Sequence, residues 1–208
     1  SPAQNTIEIG PLTIHFYGIM IAVGVIVAVL VAKRRYERFG GSGETVERAS
    51  IWAVVIGFLG ARLAYVSTHT GEFLDRPWAM LYIWEGGLAL YGGLIAGTIG
   101  AVVALRRSRG DVFAFGDAVA VGIPLAQTIG RFGNYFNQEL FGTPSNLPWA
   151  IEIDPNIAAA AGYPGFETFH PTFLYEALWN VGIIVFLLVL ERRAKLRRGT
   201  LFFLYALL

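Results

Sequence analysis

Cysteine is absent from all 208 residues, which removes disulfides, thiol nucleophiles and thiolate metal sites from consideration. Charge is also scarce. Asp, Glu, Lys and Arg make up 15% of the chain, against roughly 25% in ordinary soluble domains, too few to cover a conventional soluble surface. The three histidines, His15, His69 and His170, lie far apart and lack ligand spacing, so no metal and no other cofactor is expected. There is no internal repeat and no low-complexity stretch. A signal-peptide pattern is missing too, because the first apolar run is too long and has no cleavage signature. A net charge of +1 gives no reason to expect a nucleic-acid partner.

Hydrophobicity is what the chain has in excess. Apolar residues make up 55% of it and the mean hydropathy is +0.54. Apolar runs of about 20 residues recur, the length that crosses about 30 Å of hydrocarbon at 1.5 Å per residue. The runs predict helices over 12–32, 48–68, 86–105, 112–130 and 171–191, with a partial sixth over 199–208. A long segment, 132–169, rich in Asn, Pro, Gly and aromatics, separates the fourth from the fifth. The expected fold is an all-α integral membrane protein. It is a polytopic helix bundle of five full transmembrane helices and a truncated sixth, forming one domain over 1–208. The chain begins with Ser1 rather than Met and stops at Leu208 inside an apolar run; both ends read as trimmed.

Basic residues predict the orientation. Lys33, Arg34, Arg35 and Arg38 follow the first helix, Arg106, Arg107 and Arg109 the third, and Arg192, Arg193, Lys195, Arg197 and Arg198 the fifth. The opposite loops hold little besides Arg76. Cationic loops stay on the cytoplasmic side, which puts the N-terminus and the 132–169 segment outside the cell membrane. Clusters that bind anionic lipid predict the same sidedness.

Arg131 is the most informative single residue. It stands in Gly130-Arg131-Phe132-Gly133-Asn134-Tyr135-Phe136-Asn137-Gln138-Glu139, at the expected outer end of the fourth helix. A charge at membrane depth costs several kcal/mol and is usually paired or functional. An arginine that merely snorkels to the interface is the plainer alternative. Two asparagines and a glutamate within eight residues weigh against it, because a guanidinium in polar company suits a phosphate headgroup, which it grips in a bidentate fork. His15 and Tyr17 near the start of the first helix, Tyr91 in the third, and His170, Tyr175 and Glu176 at the start of the fifth fall at the same expected depth. A shared outer-leaflet cavity is the simplest account of that coincidence. Each member has a blander reading: Tyr17 as an interfacial belt tyrosine, and the glycine pairs around Tyr91 as packing surfaces. Arg62 and Asp117 are candidates for a structural ion pair, and His69 reads as an ordinary loop residue.

These residues carry a resemblance. The run GRFGNYFNQELFG (130–142) is similar to the signature of the prolipoprotein diacylglyceryl transferase family, enzymes of the bacterial inner membrane. HFYGIM (15–20), GARLAYV (60–66), WEGGLALYGG (84–93), HPTFLYE (170–176) and GTLFFLY (199–205) resemble further blocks of that family in the same order. The resemblance implies transfer of a diacylglyceryl group from phosphatidylglycerol to the thiol of a lipobox cysteine in a preprolipoprotein, with glycerol phosphate released. It implies that Arg131 and Tyr91 belong to the reaction centre, Arg131 on the lipid phosphate. Tyr17, Asn134, Asn137, Glu139, Gly142, His170, Tyr175 and Glu176 would bind or shape the substrate site. A nucleophile supplied by the acceptor protein fits a chain without cysteine. Two departures are visible. Many relatives have histidine where this chain has Tyr91, and a phenol is a poor base at neutral pH, so Tyr91 is expected to bind and orient. Relatives also continue past the GTLFFLY block, where this chain ends.

Two other classes of function compete on the residues alone. A small-solute transporter or channel would use an outer-leaflet polar cavity as part of a pathway, but such proteins often show repeats or broken helices. A metal-dependent phospholipid-headgroup enzyme would need closely spaced aspartates on one helix, and around the predicted helices only isolated Asp111 and Asp117 are available.

Overall fold

Large apolar side chains point outward here and small ones inward, the reverse of a soluble protein. Leu63 is 71% exposed and Leu59 58%, while Ala49, Ala118 and Ala120 are completely buried. Surrounding lipid is as apolar as leucine, so helices associate through small residues that let their backbones close up. The computed structural model describes residue 2 and residues 5–10, 12–83 and 86–208. Five of its helices are long and apolar enough to cross a membrane: α1 (Phe16–Arg38), α2 (Gly43–Thr68), α3 (Leu90–Arg107), α4 (Val112–Asn137) and α6 (Thr172–Arg193). A short α5 (Pro155–Ala160), a final α7 (Thr200–Leu207) and two 3₁₀ helices, Thr70–Phe73 and Pro77–Leu81, are the other helices among the described residues. Two small antiparallel sheets accompany them, β1 (Thr6–Ile9) with β2 (Leu12–His15) and β3 (Ile151–Glu152) with β4 (Thr168–Phe169). The protein is an all-α polytopic membrane protein.

Two compact units divide the chain, one of residues 32–116 and the other of 1–31 with 117–208. In the 32–116 unit the dominant feature is the α2–α3 pair, sewn together by glycine. A methyl group added at Gly60 would fall 2.1 Å from the Ala96 Cβ, and one at Gly92 would fall 2.3 Å from the Ala64 Cβ and 2.7 Å from the Gly60 carbonyl oxygen. The packing reading of the glycines beside Tyr91 is thereby correct. The expected start of this helix at 86 is four residues early. Gly86 and Gly87 adopt φ of 86° and 66°, a left-handed backbone that cannot continue a right-handed helix. α2, by contrast, begins five residues before the expected 48.

Arg62 explains the shape of the segment between them. Its side chain is buried in α2 and donates to the carbonyls of Met80 (2.9 Å), Gly86 (2.7 Å), Gly87 (3.1 Å) and Ala79 (2.6 Å). The Phe73 ring lies 5.3 Å from its guanidinium carbon. One cation thus ties the short 3₁₀ helix Pro77–Leu81 to Gly86 and Gly87 ahead of α3. Asp111 Oδ1 accepts the Ala114 N–H at 3.0 Å and caps the start of α4.

In the other unit, β1 and β2 form a hairpin in front of α1, so the first helix starts at Phe16 rather than 12, and His15 closes the ladder opposite Thr6. α1 and α4 touch at glycine from both sides: a Cβ on Gly24 would meet the Ala126 carbonyl oxygen at 3.0 Å, and one on Gly122 the Ala28 oxygen at 2.9 Å. Ala120 and Val121 of α4, Ile183 and Leu187 of α6 and Leu201 of α7 make a continuous core. Asp117 accepts the Gly199 N–H at 2.7 Å and the Phe202 N–H at 3.1 Å, fastening the start of α7. Arg62 and Asp117 thus each have partners inside their own units. Both aspartates serve helix ends.

Two predictions follow from the packing. Gly60→Leu or Gly92→Leu should lower the melting temperature in detergent by the equivalent of about 1–3 kcal/mol of overpacking. Gly182→Ala in α6, which meets nothing within 4 Å, should leave it unchanged or raise it. Arg62→Met should strip the donors from four carbonyls and increase limited proteolysis within 69–89 at least tenfold. Arg62→Lys should not restore protection, because an ammonium cannot span the same fork.

Candidate functional site

α4 runs seven residues beyond the expected end at 130, so most of the polar signature is helical. That difference matters. Arg131, Asn134 and Asn137 recur every three residues and so form one polar stripe along the last two turns. Helix then gives way abruptly: Gln138 and Leu140 adopt φ of 52° and 53°, a left-handed conformation that non-glycine residues seldom hold. Bonds on both sides fix Gln138, whose Oε1 accepts the Asp154 N–H at 2.7 Å and whose Nε2 donates to the Pro2 carbonyl at 3.2 Å. The reversal carries Glu139 back over the stripe. Its backbone N–H bonds the Asn134 carbonyl at 3.1 Å, and its carboxylate accepts from Asn134 Nδ2 at 2.8 Å and from Asn137 Nδ2 at 3.4 Å.

Asn134 is 6% exposed and links the two charges of this network. Its Oδ1 receives Arg131 Nη1 at 3.4 Å while its amide binds Glu139. The other end of the guanidinium, Nη2, forms an ion pair with Glu176 of α6. Arg131 and Glu176 keep side-chain exposures of 33% and 46%. The cation is thus positioned from two helices yet open to a ligand. A carboxylate is the side-chain group most like a phosphate in charge and bond geometry, so Glu176 marks where an anionic ligand would bind.

Tyr17 stands against the same stretch of α4. A Cβ on Gly133 would lie 2.7 Å from the Tyr17 ring and 3.3 Å from its Cα, so glycine there is what admits the tyrosine within a turn of Arg131. Beside it, Phe16 stacks on Phe136 with centroids 4.9 Å apart. Gly142 does a comparable job for the start of α6. A Cβ on it would meet the His170 Cβ at 2.9 Å and the Thr172 Cγ2 at 3.0 Å, and its N–H donates to the His170 carbonyl at 3.0 Å. His170 Nδ1 lies 2.9 Å from the Tyr175 hydroxyl, which also accepts Trp149 Nε1–H at 2.9 Å. The Tyr175 hydroxyl thus bridges the indole of Trp149 and the imidazole of His170.

Nine of the ten sequence-predicted site residues therefore lie in one unit: Arg131, Asn134, Asn137, Glu139 and Gly142 in and after α4, Tyr17 in α1, and His170, Tyr175 and Glu176 around the start of α6. Tyr91 belongs to the 32–116 unit, where it is the second residue of α3 and 79% exposed. Trp149 and Gln138 were not anticipated. Trp149 sits in an irregular stretch with no periodicity to mark it, and a glutamine at a left-handed position carries no sequence signal of its own. Alongside Asn137 runs a cleft of about 360 Å³, walled by Asn137, Gln138, Glu152, Asp154 and Ile157. Its carboxylates would repel a phosphate, whereas the Arg131 guanidinium edge would attract one.

Comparison with known proteins identifies the family. The family model described as prolipoprotein diacylglyceryl transferase matches residues 4–208. Phosphatidylglycerol–prolipoprotein diacylglyceryl transferase 2 of Streptomyces coelicolor is 42% identical over 208 residues, which are 99% of this chain and 65% of the relative. The corresponding transferase of Frankia alni is 43% identical over 211 residues, covering 100% of this chain and 55% of its own. That of Cutibacterium acnes is 43% identical over 208 residues, 99% of this chain and 70% of its own. The chain thus spans less than two thirds of the length of the first two. By the extent of the match and the level of identity, the chain belongs to the prolipoprotein diacylglyceryl transferase family.

Proposed function

We propose that the protein transfers a diacylglyceryl group from phosphatidylglycerol to the thiol of a lipobox cysteine in a preprolipoprotein, releasing glycerol phosphate. The observation that carries this reading is the Arg131 guanidinium, held by Asn134 and Glu176 and one-third exposed. A phosphodiester entering the bundle would exchange with the Glu176 carboxylate and take up the Nη atoms in a bidentate grip. Asn134, kept in place by Glu139 and Asn137, fixes the angle of the fork. Gly142 lets the His170–Tyr175 pair pack close, and Tyr17 lines the wall beside Gly133.

The reaction needs little more than placement and charge. The acceptor thiol, with an ordinary pKa of about 8.5, supplies a minor but nucleophilic thiolate. Sulfur attacks the glycerol carbon that bears the phosphate oxygen, the carbon–oxygen bond breaks, and the electron pair stays on the phosphate. Arg131 stabilises the charge that develops there, in surroundings where a fixed cation acts far more strongly than in water. Tyr91 binds and orients substrate. The whole chain works as one catalytic domain in the bacterial inner membrane. Its N-terminus and the 138–170 segment lie on the extracytoplasmic side, and the basic clusters after α1, α3 and α6 face the cytoplasm.

The test is incorporation of labelled diacylglyceryl from phosphatidylglycerol into a lipobox peptide by the full-length protein. Arg131→Lys should reduce it roughly 10²–10³-fold, the cost of losing a preorganised donor at developing charge; undiminished activity would remove Arg131 from the phosphate. At Tyr91 the informative pair is Phe and His. Tyr91→Phe should retain activity within about tenfold if the ring binds and orients, whereas complete loss in Phe with recovery in His would assign the position a proton.

A further inference from the structure

The α2–α3 pair leaves an open groove of about 200 Å³ between two membrane-spanning helices. Its origin is the glycine seam. Gly100 and Ala104 of α3 form the floor, and a Cβ on Gly100 would stand 2.9 Å from the Trp52 carbonyl oxygen. Larger side chains rise on both sides, Trp52 and Ile56 from α2 and Ile99 and Val103 from α3. Arg107 continues the α3 wall, because residues 99, 103 and 107 recur every four positions and share one face of the helix. The groove is therefore apolar along its length and cationic at one end. Arg107 is the last residue of α3 and is exposed. Among the described residues no hydrogen bond or ion pair engages its guanidinium. Arg106 and Arg109 flank it in the chain, and Arg48 precedes Trp52 by one turn on α2. Against these stand Glu44, paired with Arg48 at 2.7 Å, and Asp111, which caps α4. Positive charge prevails.

The dimensions describe the occupant. Pockets that enclose a whole ligand span about 300–1,000 Å³, so a molecule bound here lies only partly inside the groove. Ile99 and Arg107 are about 12 Å apart along the helix at 1.5 Å per residue, close to the roughly 15 Å of half a hydrocarbon core. An acyl chain that starts from a headgroup at Arg107 would run the length of the groove within one leaflet. A guanidinium grips phosphate oxygens in a fork, and basic pockets between membrane helices hold anionic headgroups. A second copy of the chain fits worse. Copies in one membrane point the same way, so a symmetric contact through this groove would set the arginines of both α3 ends side by side. We propose that the α2–α3 groove binds an anionic phospholipid, with one acyl chain between Trp52 and Val103 and the phosphate on Arg107. This goes beyond the transfer reaction, because the lipid here is a resident ligand and not a donor.

The experiment uses the full-length protein in nanodiscs of equimolar phosphatidylserine and phosphatidylcholine with matched acyl chains. Phosphatidylserine is anionic and is not the donor in the reaction proposed above. A photoreactive residue at Ile99 captures whatever lies in the groove, and the captured lipid is identified by mass. Phosphatidylserine should exceed phosphatidylcholine about fivefold, the discrimination that one cation near the membrane surface confers. Arg107→Gln should bring the ratio close to one. Val103→Trp, which narrows the groove from its exposed wall, should lower capture of both lipids at least fivefold. The same photoreactive residue at Leu63, exposed on α2 outside the groove, should show no headgroup preference. Equal capture of the two lipids at Ile99, a preference that survives Arg107→Gln, or capture of a second copy of the chain would overturn the assignment. Capture requires no turnover, so its failure leaves the transferase reading standing, and a protein that transfers no lipid can still hold one here.

Discussion

A guanidinium placed among membrane helices must be given partners, and the arrangement at the end of α4 follows from that requirement. Arg131 has two, a carboxylate from α6 and an amide from its own helix. The amide is in turn held by Glu139, which reaches it only because the chain reverses through left-handed Gln138. The site is thus a relay of charge-assisted bonds in which each member fixes the next. Arg62 meets the same demand in the opposite way. Four backbone carbonyls consume its donors and two aromatic rings flank it, leaving it 7% exposed. One arginine is closed off and holds the backbone together; the other is shared and accessible. That contrast, rather than charge alone, separates the anion-binding candidate from the structural cation.

Glycine does the complementary work of bringing backbones close enough for such relays. At Gly60 and Gly92 the gain is helix association in lipid, where there is no hydrophobic drive between helices. Gly133 and Gly142 instead make room for named site residues, Tyr17 and His170. The family signature therefore mixes two kinds of residue: polar ones on the stripe, and small ones whose task is to admit a neighbour. Substituting either kind damages the site, but for different physical reasons.

Most of the fold was legible in the sequence because lipid imposes simple rules. Runs of about 20 apolar residues located all five long helices. The errors were at the ends. α4 was expected to stop at 130 because polar residues begin there, yet Arg131, Asn134 and Asn137 keep helical spacing and the helix continues through them to Asn137. α3 was expected to start at 86, where two glycines with left-handed backbone delay it. Hydropathy could not show the β1–β2 hairpin, which borrows residues assigned to the first helix. Within the site, the polar run from 131 to 139 was evident as a group. The pairing of Arg131 with Glu176, 45 positions away by their numbers, was not, because it depends on how α4 and α6 meet. Arg62 was noticed, but its backbone-carbonyl partners have no signature in a sequence.

The central claim is that the Arg131 guanidinium binds a lipid phosphate, taking it in exchange for the Glu176 carboxylate. Solid-state NMR of the protein carrying ¹⁵N-labelled arginine side chains in phosphatidylglycerol bilayers measures this directly, with an Arg131→Lys sample identifying the signal. The account predicts a ¹⁵N–³¹P dipolar coupling at Arg131 corresponding to about 4 Å, the separation that a charge-assisted N–H···O–P bond imposes. An Arg131 signal with no phosphorus coupling, and still coupled to the Glu176 carboxylate in the presence of the lipid, would contradict it.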